Sequence, residues 1–312
     1  MSYIKDIIKN ILPYGLLKYY WKTKRINHNC EVIHFNSFQK MSTAIRNSIK
    51  YLPRDIDLIV GIPRSGMIPA YMIALFLNKP CCSFTEFKNN IPPEHGERDI
   101  QHINRDPQKI LIVDDSICSG NALKKIKQEI KKIKTNQTFL YYTVFSTPEA
   151  KHEVDFYAEI TELPRIFQWN YMYHSIINKS CLDFDGILCE DPSEDDNDDG
   201  DRYKHFLLNA KQLYIPNTKI HAIVTSRLEK YRHETELWLH HHNIEYDNLI
   251  MLDLPDAMTR QKLNIHARFK ADIYKKDKNA ILFIESNDKQ ARDIAKLAGK
   301  PCICLETDSL YE

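Results

Sequence analysis

Short, unbroken apolar runs that end in paired acids constrain this chain more than any other feature. Ile110-Leu-Ile-Val runs straight into Asp114 and Asp115, and Cys181-Leu runs into Asp183, with Asp185 two residues on. Apolar runs without alternation suit strands covered on both faces, as in a parallel sheet packed between helices. Their surroundings agree. A helix over Met41 to about Tyr51, a strand over Asp57 to Ile62 and a helix through Ile68 to Leu77 precede the first pair. After it come a Lys-rich helix from Ala122 to Lys134, striped by Leu123, Ile126, Ile130 and Ile133, and a strand from Phe139 to Phe145. A second series has strands at Ser180 to Phe184, Ile220 to Thr225, Leu249 to Leu252, Ala280 to Glu285 and Pro301 to Leu305. The fold class is therefore α/β, in two domains, each a mainly parallel sheet flanked by helices.

A chain of 312 residues exceeds what one core usually fills. The reading divides it into a basic amphipathic helical segment over 1–28, a first domain over 29–178 and a second over 179–312. The first segment spaces Ile4, Ile7, Ile8 and Ile11 helically among Lys5 and Lys9; such a helix either lies on an anionic membrane surface or packs on protein. A net charge of +1 argues against nucleic acid as a partner. Eight cysteines without zinc-ligand spacing point to reduced, buried thiols. No apolar run reaches 18 residues, so the expected location is cytoplasmic, with peripheral contact at the cytoplasmic face of the membrane open through the N-terminal segment. A homodimer is compatible with the sequence.

The run from Ile110 to Gly120 puts two acids at the carboxyl end of a strand and a Ser/Gly turn at a helix N-terminus. Ligands of open α/β sheets bind at that edge. Amides of Ser116, Ile117, Cys118, Ser119 and Gly120 would cradle a phosphate, and Asp114 and Asp115 would reach the hydroxyls of an attached sugar. These residues resemble the type I phosphoribosyltransferase family, with Ser119 where Thr is usual. Pro63, Arg64, Ser65 and Gly66 resemble that family's pyrophosphate loop. The resemblance implies phosphoribosyl diphosphate as donor and Mg²⁺ as cofactor, with Asp114 and Asp115 at the metal and the sugar. It also implies a mobile loop over Lys88 to Arg105, offering Lys88, Arg98 and Arg105 as diphosphate clamps. Trp169, with Asn170 and His174 nearby, either stacks on an acceptor or seals the domain junction.

The run Cys181-Leu-Asp-Phe-Asp-Gly-Ile187 resembles the first motif of haloacid-dehalogenase-like phosphatases. The resemblance makes Asp183 the nucleophile and Asp185 the general acid and base. Thr225, with Ser226 and Arg227 beside it, resembles the phosphate-binding second motif, and Lys270 the cationic third. Glu285 and Asp288 resemble the acidic fourth, which would hold Mg²⁺ with Asp183 and Asp185. Glu285 stands where the superfamily usually begins Gly-Asp. The stretch Glu190 to Asp201 is read as a solvated acidic flap, and the three adjacent histidines from His240 as exposed.

Together the resemblances imply a bifunctional enzyme like bacterial ribofuranose-installing proteins of surface polysaccharide synthesis. It would transfer 5-phosphoribosyl to a glycan or lipid-linked oligosaccharide acceptor and then remove the 5-phosphate. Two other readings stand beside it: a nucleobase salvage transferase fused to a nucleotide 5′-phosphatase, and a non-catalytic sensor of the donor.

Overall fold

A computed structural model describes residues 32–93, 106–133, 136–197 and 199–312. The 1–28 segment, Arg98 and Arg105 lie outside the described residues. The chain divides into two compact units, one over His34–Trp169 and another that includes Asn170–Glu312. Residues 170–178, read from sequence as the end of the first domain, group with the second unit, where Tyr171, Ile176 and Ile177 are buried.

The first unit carries a five-stranded parallel sheet. Its strands are β2 (Leu58–Gly61), β3 (Cys81–Ser83), β4 (Lys109–Ile117), β5 (Thr138–Ser146) and β6 (Phe156–Ile160), in the order β3-β2-β4-β5-β6. A parallel pair, β1 (His34–Asn36) with β7 (Arg165–Phe167), stands apart from it. Helices α1 (Phe38–Ser48), α2 (Met67–Leu77), α3 (Phe84–Lys88) and α4 (Asn121–Lys132) complete the unit. The lack of alternation in β4 has a direct cause. Leu111 and Val113 pack with Met41, Ile45 and Ile73 of α1 and α2, while Ile110 and Ile112 pack with Leu123 and Ile130 of α4. Both faces are covered, so Ile110 to Val113 is apolar without alternation.

In the second unit the order is β10-β9-β8-β11-β12-β13. The strands are β8 (Ser180–Leu182), β9 (Ile220–Leu228), β10 (Tyr246–Leu252), β11 (Leu282–Glu285), β12 (Cys302–Cys304) and β13 (Ser309–Tyr311). Only β13 runs antiparallel to its neighbour. The helices are α5 (Asp201–Asn209), α6 (Arg232–His241), α7 (Ala257–Leu263), α8 (His266–Lys276) and α9 (Asp288–Ala298). Strand β8 lies between β9 and β11, which places the three motif-bearing strands side by side. A core of Cys181, Ala222, Tyr274, Phe283, Ile294 and Cys302 fills one face. No helix among the described residues is long and apolar enough to cross a membrane.

Candidate functional site

In the first unit the acidic pair sits late in β4, which continues beyond the expected end at Asp114. Ser116 pairs with Phe145 and Ile117 with Ser146, so these two residues belong to the ladder and not to the turn. The buried Ile117 explains the extension, since its side chain prolongs the α4-facing apolar row. The loop at the head of α4 is therefore Cys118, Ser119 and Gly120, with Gly120 at φ +71°. Ser119 Oγ accepts from the Asn121 amide at 3.4 Å.

Gly66 brings the other loop against this strand end. A Cβ there would lie 2.5 Å from the Ile62 carbonyl, 2.9 Å from the Val113 carbonyl and 3.0 Å from Asp114 Oδ1. Only glycine fits, because the backbone of the loop and that of β4 are already in contact. Ser65 Oγ donates to Asp115 Oδ1 at 2.9 Å, which ties the two sequence motifs together. Pro63 and Arg64, joined by a cis peptide bond, lie exposed at the loop's tip. Arg64 forms no ion pair among the described residues, leaving its charge for a ligand.

Asp115 is almost fully buried, and its second oxygen accepts from Trp169 Nε1 at 3.0 Å. The Trp169 ring lies 4.9 Å from Phe167 and 5.3 Å from Phe38 between centroids. Of its two expected roles, the structure gives Trp169 the packing one and adds a hydrogen bond that sequence reasoning missed. Asp114 accepts from the Asp115 amide at 2.9 Å. Burial, and then the adjacent Asp115 charge, push the Asp114 carboxyl above the usual carboxylate range. Lys88 ends α3, and its ammonium pairs with Glu129 of α4 at 3.5 Å.

Sequence reasoning also passed over Arg165. Its guanidinium is buried and donates to the Ile117 carbonyl at 2.9 Å and the Phe145 carbonyl at 3.4 Å. It thereby holds the ends of β4 and β5 together beneath the phosphate loop. The one available signal was a cation in the apolar run after Leu163-Pro164.

In the second unit, Lys270 Nζ donates to Asp183 Oδ2 at 2.6 Å, Glu285 Oε2 at 2.7 Å and Gln290 Oε1 at 3.1 Å. Three residues named from separate motifs therefore meet, all of them buried. Burial disfavours the Lys270 charge, but the two carboxylates outweigh it and hold the ammonium protonated. Burial and the Glu285 charge push Asp183 well above the usual carboxylate range, against the pull of Lys270. One cation facing two acids leaves the cluster short of positive charge.

Arg227 departs from its expected role. Its side chain is fully buried, with Nη2 donating to Asp185 Oδ1 at 2.6 Å and Nε donating to both carboxylate oxygens at 3.1 Å. The guanidinium also lies 3.7 Å from the Phe184 ring centroid. These contacts orient the Asp185 carboxylate. Thr225 lies within β9 and not at its end, and its buried Oγ1 accepts from the Arg227 amide at 3.1 Å.

The expected metal set does not converge. Asp288 turns to Arg292 at 2.9 Å and to Tyr311 and Thr307, because it opens α9 beside β13. Asp185 is taken by Arg227, while Glu285 Oε1 accepts from the Ser286 amide at 3.0 Å and the Asn287 amide at 3.3 Å. Among the described residues, no three His, Cys, Asp or Glu side chains are grouped to hold a metal ion. In the flap, Asp199 accepts from Lys230, Tyr231 and the Ala257 amide, fastening the stretch to α7.

Comparison with known proteins bears on the first unit. The phosphoribosyl transferase domain family matches residues 32–172. A xanthine-guanine phosphoribosyltransferase of Chromohalobacter salexigens is 30% identical over 105 residues, 33% of this chain and 61% of the relative. One from Idiomarina loihiensis is 26% identical over 156 residues, 46% of this chain and 89% of the relative. A purine phosphoribosyltransferase structure from Pyrococcus horikoshii is 22% identical, with a TM-score of 0.33, covering 44% of this chain and 94% of that one. The chain thus spans less than two thirds of the first relative. The residues that match this family, 32–172, include the two loops that meet at Asp114 and Asp115.

Proposed function

We propose that the first unit transfers 5-phosphoribosyl from phosphoribosyl diphosphate to a nucleobase, and that the second hydrolyses a phosphate monoester. Acting in turn on one substrate, they would convert a base into a nucleoside. The observation that carries the transfer is the meeting of the Pro63–Gly66 loop, the acid pair and the Cys118–Gly120 loop at one strand end. The names of the two bacterial relatives favour a base as acceptor.

In this reading the Cys118–Gly120 loop and the α4 N-terminus hold the 5-phosphate. Asp114 and Asp115 take the ribose hydroxyls, and Arg64 takes the diphosphate. As the bond from C1 to the diphosphate oxygen breaks, positive charge grows on the sugar ring and the two acids oppose it. Mg²⁺ fits here, since the buried acid pair has only neutral donors for partners; bound with the donor, it would neutralise diphosphate charge. Ser65 and Trp169 keep Asp115 in place throughout.

In the second unit Asp183 would attack phosphorus, forming an acyl phosphate as the ester oxygen leaves. Lys270 offsets repulsion between the carboxylate and the phosphate dianion. Asp185, oriented by Arg227, would hand a proton to the leaving oxygen and later take one from water. No step is assigned to a metal in this unit, because Asp183 and Glu285 share the Lys270 ammonium while Asp185 and Asp288 turn to Arg227 and Arg292.

One observation favours a second reading, in which the acceptor is a glycan hydroxyl. The packing of Trp169 among Phe38, Phe145 and Phe167 commits the ring that would otherwise stack on a base. Labelled phosphoribosyl diphosphate, offered with guanine, xanthine or lipid-linked oligosaccharide, decides between them by where the label appears. Label on none of the three defeats both.

A further inference from the structure

With Arg227 bound to Asp185, Lys270 is the motif cation that remains at the Asp183 carboxylate in the second unit. The structure offers another. Arg260, on α7, is buried, and its Nη1 donates to the Ser226 carbonyl at 3.0 Å. Its Nε has no hydrogen-bond partner, and neither does the buried hydroxyl of Ser226. Among the described residues no carboxylate pairs with this guanidinium. Tyr203 is its neutral hydrogen-bond neighbour, the phenol pushed up by burial and by Asp185, so the guanidinium meets a carbonyl and a hydroxyl but no anion.

A buried guanidinium without an anion is costly, and unsatisfied buried donors commonly mark an absent ligand, ion or water. Here two unsatisfied polar groups adjoin, one an N–H donor and the other a hydroxyl. Their location is specific. Cys181 pairs with Ala222 and Leu182 with Ile223 in the β8–β9 register. One residue past the end of β8, Asp183 comes to the level of Val224, two residues before Ser226 on the neighbouring strand. His266, at the start of α8, lies within the fields of Arg260, Lys270 and Glu285, with burial and the two cations holding its ring below the usual histidine range. Arg260 and Ser226 thus stand near the carboxyl end of β9, on the edge of the sheet where Asp183 follows β8.

We propose that Arg260 and Ser226 form an anion subsite beside Asp183 that grips the phosphoryl oxygens of a phosphate monoester. The planar guanidinium matches phosphate geometry, and a charge-assisted hydrogen bond is the strong kind. This rests on the phosphatase reading of Asp183 and adds to it the residues that recognise the phosphate.

The test uses the full chain and inorganic phosphate as probe. Calorimetry compares Asp183→Asn with Asp183→Asn/Arg260→Gln, and KM and kcat for nucleoside monophosphates are compared between wild type and Arg260→Gln. The subsite predicts phosphate binding weakened about 10- to 100-fold and KM raised by a similar factor. Arg260→Lys should recover part of the loss, and Ser226→Ala should weaken phosphate about threefold to tenfold. Arg260→Lys and Ser226→Ala also keep the question open to measurement if Arg260→Gln fails to fold. Unchanged phosphate affinity in folded Arg260 variants, or no phosphate binding by the parent protein, overturns the subsite. Absence of monoester hydrolysis by wild type, with Arg260-dependent phosphate binding intact, defeats the phosphatase reading alone.

Discussion

The two acidic strand ends look alike in sequence and differ in what answers their charge. Asp115 is held by a hydroxyl and an indole, both neutral, and Asp114 by a backbone amide. Asp183 is held by Lys270, and Asp185 by Arg227, so protein cations accompany each of them. The first site relies on a ligand or cation to relieve its acids. The second carries much of its compensation within the fold, where each broken pair leaves a buried charge behind. A pair of acids after an apolar strand thus has two physical solutions, and only the partners distinguish them.

The largest expected effect tests independence of the two sites. Asp183→Asn should lower phosphate release from monoesters at least ~10³-fold, as loss of a nucleophile does, while phosphoribosyl transfer stays at its wild-type rate. Parallel loss of both activities would break the division of labour. Next in size is Lys270→Met, which strands two buried carboxylates and should cost about 3–5 kcal/mol in urea unfolding. A loss well under 1 kcal/mol would remove the argument that compensation is built into the second site.

Gly66→Ala tests the first site's close approach. The added methyl meets backbone oxygens that cannot move aside, and the expected cost is about 1–3 kcal/mol by thermal unfolding, with weakened donor binding. Trp169→Phe keeps the aromatic packing but removes one hydrogen bond to Asp115, which predicts a loss near 1–2 kcal/mol. A last test sharpens the comparison by its sign. The Asp114 carboxyl has a raised value in the folded protein, so the folded state holds a proton that the unfolded chain releases from about pH 4 upward. Its cost to stability is absent below the unfolded value and grows as pH rises to the folded one. Asp114→Asn should therefore match wild type near pH 3.5 and exceed it in melting temperature as pH rises. Equal melting temperatures across that range would mean the acid is already compensated.

How far the sequence could be read follows from the range of each interaction. Strand identity was legible because double-sided burial leaves a run without alternation, as in Ile110 to Val113. Gly66 was legible as part of a loop motif, but the reason for it, the carbonyls of Ile62 and Val113, needed the folded chain. Asp183, Lys270 and Glu285 were named from separate motifs, and the structure brings them within hydrogen-bonding distance of one ammonium. The contacts of Arg227 and Asp288 were not legible, for one reason. Proximity in sequence to a motif does not say which neighbour a long or exposed side chain will choose, and Asp185 and Arg292 were the choices made.

What the sequence alone determined is the alternation of strands and helices, two acid-bearing strand ends and the loop chemistry around them, because these depend on local patterns and on backbone geometry. The tertiary structure decided which charges meet. Lys270 lies 87 residues from Asp183 along the chain and Arg227 lies 42 from Asp185. Their pairing depends on strand order and register, since desolvation makes a buried charge take whichever opposite charge the fold sets beside it.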